Sequence, residues 1–111
     1  MAMKFETDNH AWAERVFGDC QLGDERRGKR LVDLATLHAG DPEASTAAMC
    51  HGNKAAQEGA YRLLRSDRFE TADIDEGAYL AAAEAAQGLR LVLAIQDTTA
   101  VSFKHATAQV L

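Results

Sequence analysis

Apolar residues recur every three to four positions in the first part of the chain, as they do on one face of an amphipathic helix. The spacing predicts a first helix over residues 10–18, which Asp8 or Asn9 can cap. Its apolar face consists of Trp12, Val16 and Phe17. A second helix is predicted from its cap at Asp24 to the Ala-Gly-Asp-Pro stretch at 39–42, where glycine and proline end it. The apolar face of this second helix consists of Leu31, Leu34, Ala35 and His38.

Two further helices are predicted after a loop of small and polar residues at 40–52. Asn53 can cap a helix over 54–65, in which Gly59 would allow close packing. The core face of this helix consists of Ala56, Ala60, Tyr61, Leu63 and Leu64. A fourth helix fits 71–87, before Gly88. Its apolar stripe consists of Ile74, Ala78, Ala82 and Ala85.

The hydrophobic pattern changes after residue 88. Residues 90–96 form a short, nearly continuous apolar run, which is typical of a buried strand. Residues 98–104 alternate, with Val101 and Phe103 on one face, and predict a second strand paired with the first. The predicted fold is therefore mainly α, a helical bundle-like unit of about four helices followed by a β-hairpin. Because a lone hairpin is marginally stable in water, it either packs on the helices or begins a larger sheet.

Composition places the chain among soluble globular proteins, with 47% hydrophobic and 26% charged residues in 111 positions. The formal net charge of −5 argues mildly against a nucleic-acid partner. The acidity is uneven, since residues 1–65 have a net charge of −1 and residues 66–111 have a net charge of −4. The chain shows neither a secretory leader nor an apolar run of membrane length, so we expect a cytoplasmic protein with Cys20 and Cys50 reduced.

Basic side chains cluster on two of the predicted helices. Segment 26–30 reads Arg-Arg-Gly-Lys-Arg at the start of the second helix, where cations oppose the helix dipole. Contact with the phosphates of a DNA duplex is one explanation. A solvated face paired with Asp24, Glu25 and Asp33 is the other, and composition alone favours it. For the basic residues of the helix over 54–65, both interpretations are equally open.

Two other positions have side chains suited to metal chemistry. Asp97 directly follows the predicted buried strand, where a metal-ligating carboxylate sits in two-metal nucleases. A turn aspartate bonded to the local backbone explains the same residue, and one carboxylate is not a metal site. Cys50 and His51 lack the further ligands that zinc needs, so they are interpreted as ordinary loop residues.

Four stretches of the chain together carry a resemblance to a known family. They are Trp12-Ala13 with Val16-Phe17, Leu22-Gly23-Asp24 with Arg26-Arg27 and Arg30-Leu31-Val32, Lys54-Ala-Ala-Gln-Glu-Gly-Ala-Tyr-Arg62, and Asp97-Thr98-Thr99. In this order they resemble the N-terminal part of Tn5-type transposases of the IS4 group. The resemblance extends over residues 10–105; the string 54–62 is quite specific, whereas Asp-Thr-Thr alone is weak.

The resemblance implies cut-and-paste DNA transposition, which is a form of DNA recombination. Residues 1–69 would be the helical domain that grips the transposon end, and residues 70–89 a connecting helix. Residues 90–111 would begin a truncated RNase H-like catalytic domain. The implied DNA contacts are Arg26, Arg27, Arg30 and Lys54, with Lys29 added for its charge and Arg62 and Arg65 as secondary candidates.

The resemblance also implies that Asp97 matches the first acid of the family's Asp-Asp-Glu triad. That triad binds two divalent ions, Mg²⁺ or Mn²⁺, in a full-length enzyme. The second aspartate and the glutamate have no counterpart before Leu111, so we expect neither a cofactor nor hydrolysis for this chain alone. The loop containing Asp41 and Glu43 is more acidic than in the family, which would repel phosphate.

The expected partner is double-stranded DNA at transposon ends, in the bacterial cytoplasm and without a membrane. One alternative is a non-catalytic remnant that contacts itself or inhibits a full-length transposase. It would use the unpaired strand edge at 90–104, because unpaired edges invite pairing with another chain. A second alternative is that the chain is part of a longer, intact enzyme.

Overall fold

A computed structural model describes residues 7–100, and this range contains five helices. They are α1 (Asn9–Phe17), α2 (Glu25–Gly40), α3 (Thr46–Met49), α4 (Lys54–Arg65) and α5 (Thr71–Ala86). Helix α2 is central, since it packs against α1, α3 and α4, while α5 packs against α1. The mainly helical character expected from the sequence is confirmed.

Polar residues cap the starts of the helices, and the caps at Asp8 and Asn53 were predicted from the sequence. Asp8, Ser45 and Asn53 each accept a hydrogen bond, 3.1–3.2 Å long, from the backbone amide three residues ahead. At the start of α5, Asp73 accepts a hydrogen bond of 2.8 Å from the backbone amide of Glu70, completing a capping box. These bonds satisfy amides that have no partner within the first turn. The four predicted helices are found within about one residue of their expected ends.

The interpretation of residues 40–52 as a loop was wrong in one place. Residues Thr46–Met49 form the one-turn helix α3, and Met49 is almost fully buried. Cys50 follows it and is also buried, so two apolar side chains anchor this segment. His51 and Gly52 then adopt left-handed backbone conformations, with φ of 50° and 80°, and turn the chain into α4.

The hydrophobic core lies where α2, α4 and α5 meet the segment between α1 and α2. Its buried cluster consists of Cys20, Leu22, Leu31 and Leu63, with Phe17, Leu34, Phe69 and Ile74 packed against it. The ring of Trp12 meets Phe17 edge-on, with 6.0 Å between ring centroids. This edge-to-face contact adds to the burial of α1.

A close approach to Cys20 fixes the position of α5. A Cβ added at Gly77 would collide with Sγ of Cys20 and would lie 3.2 Å from its Cα, so only glycine fits. The Cys20 thiol donates to the carbonyl of Ile74 at 3.6 Å. Burial, reinforced by the charge of Asp19, raises the pKa of this thiol. Gly59, expected to allow such packing, has open space where a Cβ would lie, so that prediction was wrong.

Four predicted core positions lie at the surface instead. Leu64 is 60% exposed, and His38, Ala82 and Ala85 are also exposed. In α4, the helix buries Ala60 and Leu63, which turns Leu64 outward. In α5, the inward stripe consists of Ile74, Gly77, Ala78 and Ala81, because Gly77 faces Cys20.

Residues 91–100 have no regular secondary structure, and the apolar side chains of Leu91, Leu93 and Ile95 are more than 70% exposed. Most of the second predicted strand, residues 101–104, lies outside the described range. The hairpin, its interaction edge and the start of an RNase H-like domain therefore stay predictions.

Candidate nucleic-acid interface

The first turn of α2 is tied together by an aspartate and an arginine. Asp24 accepts a hydrogen bond of 2.9 Å from the backbone amide of Arg26 and also binds its guanidinium, with Nη2 to Oδ2 at 2.9 Å. The side-chain bond, followed by the backbone bond, lowers the pKa of Asp24 from 3.8 to about 2. The same partner raises the pKa of Arg26. The expected pairing of the basic cluster with an acid is therefore found at this position.

This geometry predicts an acid-dependent loss of stability at the α2 cap. The Asp24 carboxyl has a lower pKa in the folded chain than in the unfolded one, so its contribution is complete above pH 4. That contribution declines as pH falls from 4 through about 2, because the unfolded chain then binds more protons. Asn can cap a helix without titrating, so the stability difference between wild type and Asp24→Asn should shrink over this range.

The measurement is the urea midpoint of both proteins at several pH values between 2 and 6. Asp67→Asn is the matched control, because the Asp67 side chain is 97% exposed in the segment between α4 and α5 and caps no helix. A difference between wild type and Asp24→Asn that stays constant with pH would contradict the prediction.

Arg27 is also engaged within the domain. Its side chain is half-buried, and Nη1 donates a hydrogen bond of 2.9 Å to the backbone carbonyl of Leu22. The guanidinium also lies against Gly23, whose φ of +86° marks the turn before the helix. A phosphate contact by Arg27 would have to compete with this bond.

Lys29 and Arg30 lie on different sides of α2. Within residues 7–100, neither side chain makes a hydrogen bond or an ion pair, so the expected pairing with Glu25 and Asp33 does not occur. Lys29 lines a groove of about 810 Å³ between α1 and α2. The carboxylates in that groove are Glu14, Asp19, Asp24, Glu25 and Asp33. Arg30 lines a second groove, of about 580 Å³, between α2 and α4.

The exposed face of α4 carries the second basic cluster. Lys54, Glu58, Arg62 and Arg65 follow one another at spacings of three and four residues, so they share one face. Arg62 and Arg65 lie in the last turn, where the helix dipole favours cations. The guanidinium carbon of Arg65 lies 5.5 Å from the ring centroid of Tyr61. Lys54 lies in the first turn, where the dipole opposes a cation, so helix stability does not explain it.

The two basic clusters meet across the groove between α2 and α4. Arg30 from α2 and Arg62 from α4 both line it, together with Asp33 and Glu58. From the sequence, Asp33 was expected as a partner of the 26–30 cluster, but Glu58 was not placed at the candidate site. The spacing of Glu58, four residues from both Lys54 and Arg62, is the signal that would have found it.

The remaining candidates lie apart from this groove. Asp97 is exposed in the irregular segment 91–100. Across residues 7–100, no group of three or more His, Cys, Asp or Glu side chains is arranged to hold a metal ion. Cys50 donates its thiol proton to the carbonyl of Thr46 at 3.2 Å, whereas His51 is exposed. In the acidic loop, Asp41 is half-buried and Glu43 is exposed.

Helices α1 to α4, with exposed cations on two neighbouring helices, form a compact helical unit suited to a polyanion. A family model described as transposase DNA-binding matches residues 9–69, which span these four helices. The match covers more than half of the chain, and the chain belongs to this family. The predicted function, DNA binding by a transposase domain, is thereby confirmed, and DNA is its partner. None of the helices within residues 7–100 is long and apolar enough to cross a membrane.

Proposed function

We propose that this domain binds the ends of a transposable element as part of a cut-and-paste transposase of the Tn5 type, in the IS4 group. The observation that carries the proposal is the meeting of Arg30 and Arg62 across one groove, in a chain of the transposase DNA-binding family. Two helices that present cations on either side of a groove can follow a phosphate backbone, and phosphate contacts set the position of a protein on duplex DNA.

The cations fall into two groups by what they bind within the domain. Lys29, Arg30, Lys54 and Arg62 have no hydrogen-bond or ion-pair partner among residues 7–100, so they are free to bind phosphates. Arg65 is the next candidate for a phosphate contact, because its guanidinium only has to leave the ring of Tyr61. Arg26 and Arg27 would each have to give up an intramolecular hydrogen bond. We assign these two residues to holding the first turn of α2 in place.

The proposal extends to Asp97 as the first acid of an Asp-Asp-Glu triad, with Mg²⁺ or Mn²⁺ supplying charge stabilisation in the complete enzyme. Within residues 7–100, Asp97 is not part of any group of three or more His, Cys, Asp or Glu side chains that could hold a metal ion. No catalytic step is therefore assigned to this part of the chain. DNA binding by α2 and α4 does not depend on the metal site.

Salt dependence of DNA binding tests the proposal. The full chain is titrated into a fluorescently labelled duplex that carries the DNA flanking its gene, at salt concentrations from 50 to 200 mM. If Lys29, Arg30, Lys54 and Arg62 each bind one phosphate, log K against log salt should have a slope of about −3.6. A shuffled duplex of equal length should bind at least ~10-fold more weakly, since wrong base pairs cost about 1–3 kcal/mol each.

The salt dependence tests phosphate binding, and the shuffled duplex tests recognition of transposon ends. A slope near zero would contradict phosphate binding by the four cations. Equal affinity for the native and shuffled duplexes would contradict recognition of transposon ends while leaving DNA binding in place.

A further inference from the structure

Helix α5 has an outer face that the rest of residues 7–100 leaves uncovered. Opposite its buried stripe, Tyr79 and Leu80 are 72% and 62% exposed. Asp75 and Glu76 lie on the same outer side, one turn earlier along the helix. These two large apolar side chains, flanked by carboxylates, are the part of α5 that a partner could cover.

The exposed face of α4 has the complementary composition. Leu64 is 60% exposed at the edge of this face, beside Arg65, whereas Arg62 lies two residues before Leu64 and points to the other side of α4. The charged side chains of α4 give it a net charge of +2, whereas α5 has four carboxylates and no lysine or arginine. Two α5 helices would therefore repel each other, and an α5 helix would be attracted to an α4 helix. Within one copy, α4 and α5 do not pack against each other.

We propose that the outer face of α5 in one copy of this chain docks on the exposed face of α4 in a second copy. Tyr79 and Leu80 would cover Leu64, while Asp75 and Glu76 would face the neighbouring guanidinium group of Arg65. The contact joins two different surfaces, so it is heterologous. The inference depends on the proposed function in one respect: the α4 face is also the one assigned to DNA. The second copy and the duplex therefore compete for it.

Self-association without DNA is the first test. At 50 mM salt, sedimentation equilibrium should show concentration-dependent association of the full chain that weakens at least ~10-fold at 500 mM, because salt screens exposed charges. Asp75→Lys with Glu76→Lys should abolish it. Glu14→Lys with Asp19→Lys makes the same change in net charge on exposed residues outside both faces, and should leave a large part of the association intact. A wild-type chain that stays monomeric at 50 mM salt would overturn the proposal.

A charge exchange tests the pairing of the two faces. Arg62→Glu with Arg65→Glu should also prevent association, and circular dichroism should show that both double variants remain helical. Mixed together, the α5 variant and the α4 variant should associate, since each reversed face now finds its opposite. Two helical variants that fail to associate in the mixture would rule out this pairing.

A cysteine pair tests the contact without changing charge. Chains carrying Tyr79→Cys and chains carrying Leu64→Cys are mixed and oxidised; the native Cys20 and Cys50 are buried. A disulfide between the two kinds of chain is expected. A disulfide mainly between two Tyr79→Cys chains would show α5 pairing with itself and would contradict the proposal.

DNA then distinguishes this inference from the proposed function. Added duplex should dissociate wild-type assemblies, and the Asp75→Lys/Glu76→Lys variant should bind that duplex at least as tightly as wild type. Association with rescue by charge exchange, but without any DNA binding, would uphold the docking and reject the DNA contacts assigned to α4. DNA binding that leaves the assemblies intact would overturn the shared α4 face.

Discussion

Replacing Leu63 with alanine is expected to lower the free energy of unfolding by about 2–5 kcal/mol, whereas Leu64→Ala should change it by less than about 0.5 kcal/mol. The two leucines are adjacent on α4, but Leu63 is 4% exposed and packs in the cluster with Cys20, Leu22 and Leu31. Its truncation leaves a cavity between α4 and α2. Leu64 is 60% exposed, so its truncation removes little buried surface.

The measurement is urea unfolding of the full chain followed by far-ultraviolet circular dichroism. Because both changes replace leucine by alanine on one helix, intrinsic helix propensity is nearly the same in the two variants. Leu63→Met conserves volume and should cost less than about 1.5 kcal/mol. Equal losses for Leu63→Ala and Leu64→Ala would show that α4 does not bury Leu63 in preference to Leu64.

The contrast between these leucines shows where sequence reasoning stops. The positions of the helices follow from local signals, because a capping side chain and a helical period act within a few residues. Asp8, Asp24 and Asn53 were therefore informative. Which part of a broad apolar face is buried depends on the neighbouring helix. Leu63 and Leu64 are equally apolar and adjacent, so the sequence alone could not choose between them.

Gly77 and α3 show the same limit in two other ways. Gly77 lies in an alanine-rich helix, and only its contact with Cys20 explains why a side chain is not accommodated there. Gly59 also lies inside a helix, but a Cβ at this position would meet no atom within 4 Å. The sequence alone therefore does not show which of the two glycines is required for packing. Helix α3 is a single turn, which is too short to show a helical period of apolar residues. Its position is set by the burial of Met49 against the rest of the domain.

For the candidate site, charge clustering indicated two helices that line one groove, but not the contacts that the individual residues make. All members of the 26–30 cluster are cationic except Gly28, yet Arg26 and Arg27 hold local hydrogen bonds while Lys29 and Arg30 do not. The net charge of −5 argued against DNA binding. A net charge does not show where on the protein the positive and negative side chains lie. Much of the acidity lies on α5 and in the groove between α1 and α2.

Replacing Arg30 and Arg62 together with alanine is expected to weaken duplex binding by about 50- to 100-fold at 0.1 M salt. Each phosphate contact contributes about 0.9 to the slope of log K against log salt, so two lost contacts should reduce its magnitude by about 1.8. Between 1 M and 0.1 M salt, a tenfold change, a slope difference of about 1.8 corresponds to the expected loss in affinity. The measurement is fluorescence anisotropy with the labelled duplex at several salt concentrations.

Arg15→Ala with Arg90→Ala is the matched control for net charge. Both arginines are exposed, one in the last turn of α1 and the other after α5, and neither lines the groove between α2 and α4. This control should keep the wild-type slope, because long-range attraction by two distant charges is screened beyond about 10 Å at 0.1 M salt. An equal loss of slope in both double variants would mean that net charge, not the groove, determines binding.

Arg26→Ala separates phosphate contact from support of the helix. Its guanidinium is held by Asp24, so its removal frees that carboxylate at the start of α2 instead of removing a phosphate contact. The variant should therefore unfold at a lower urea concentration than wild type and still bind DNA with an unchanged salt slope. A slope reduced by about 0.9 would place Arg26 among the phosphate contacts and would show that DNA displaces Asp24 when the duplex binds.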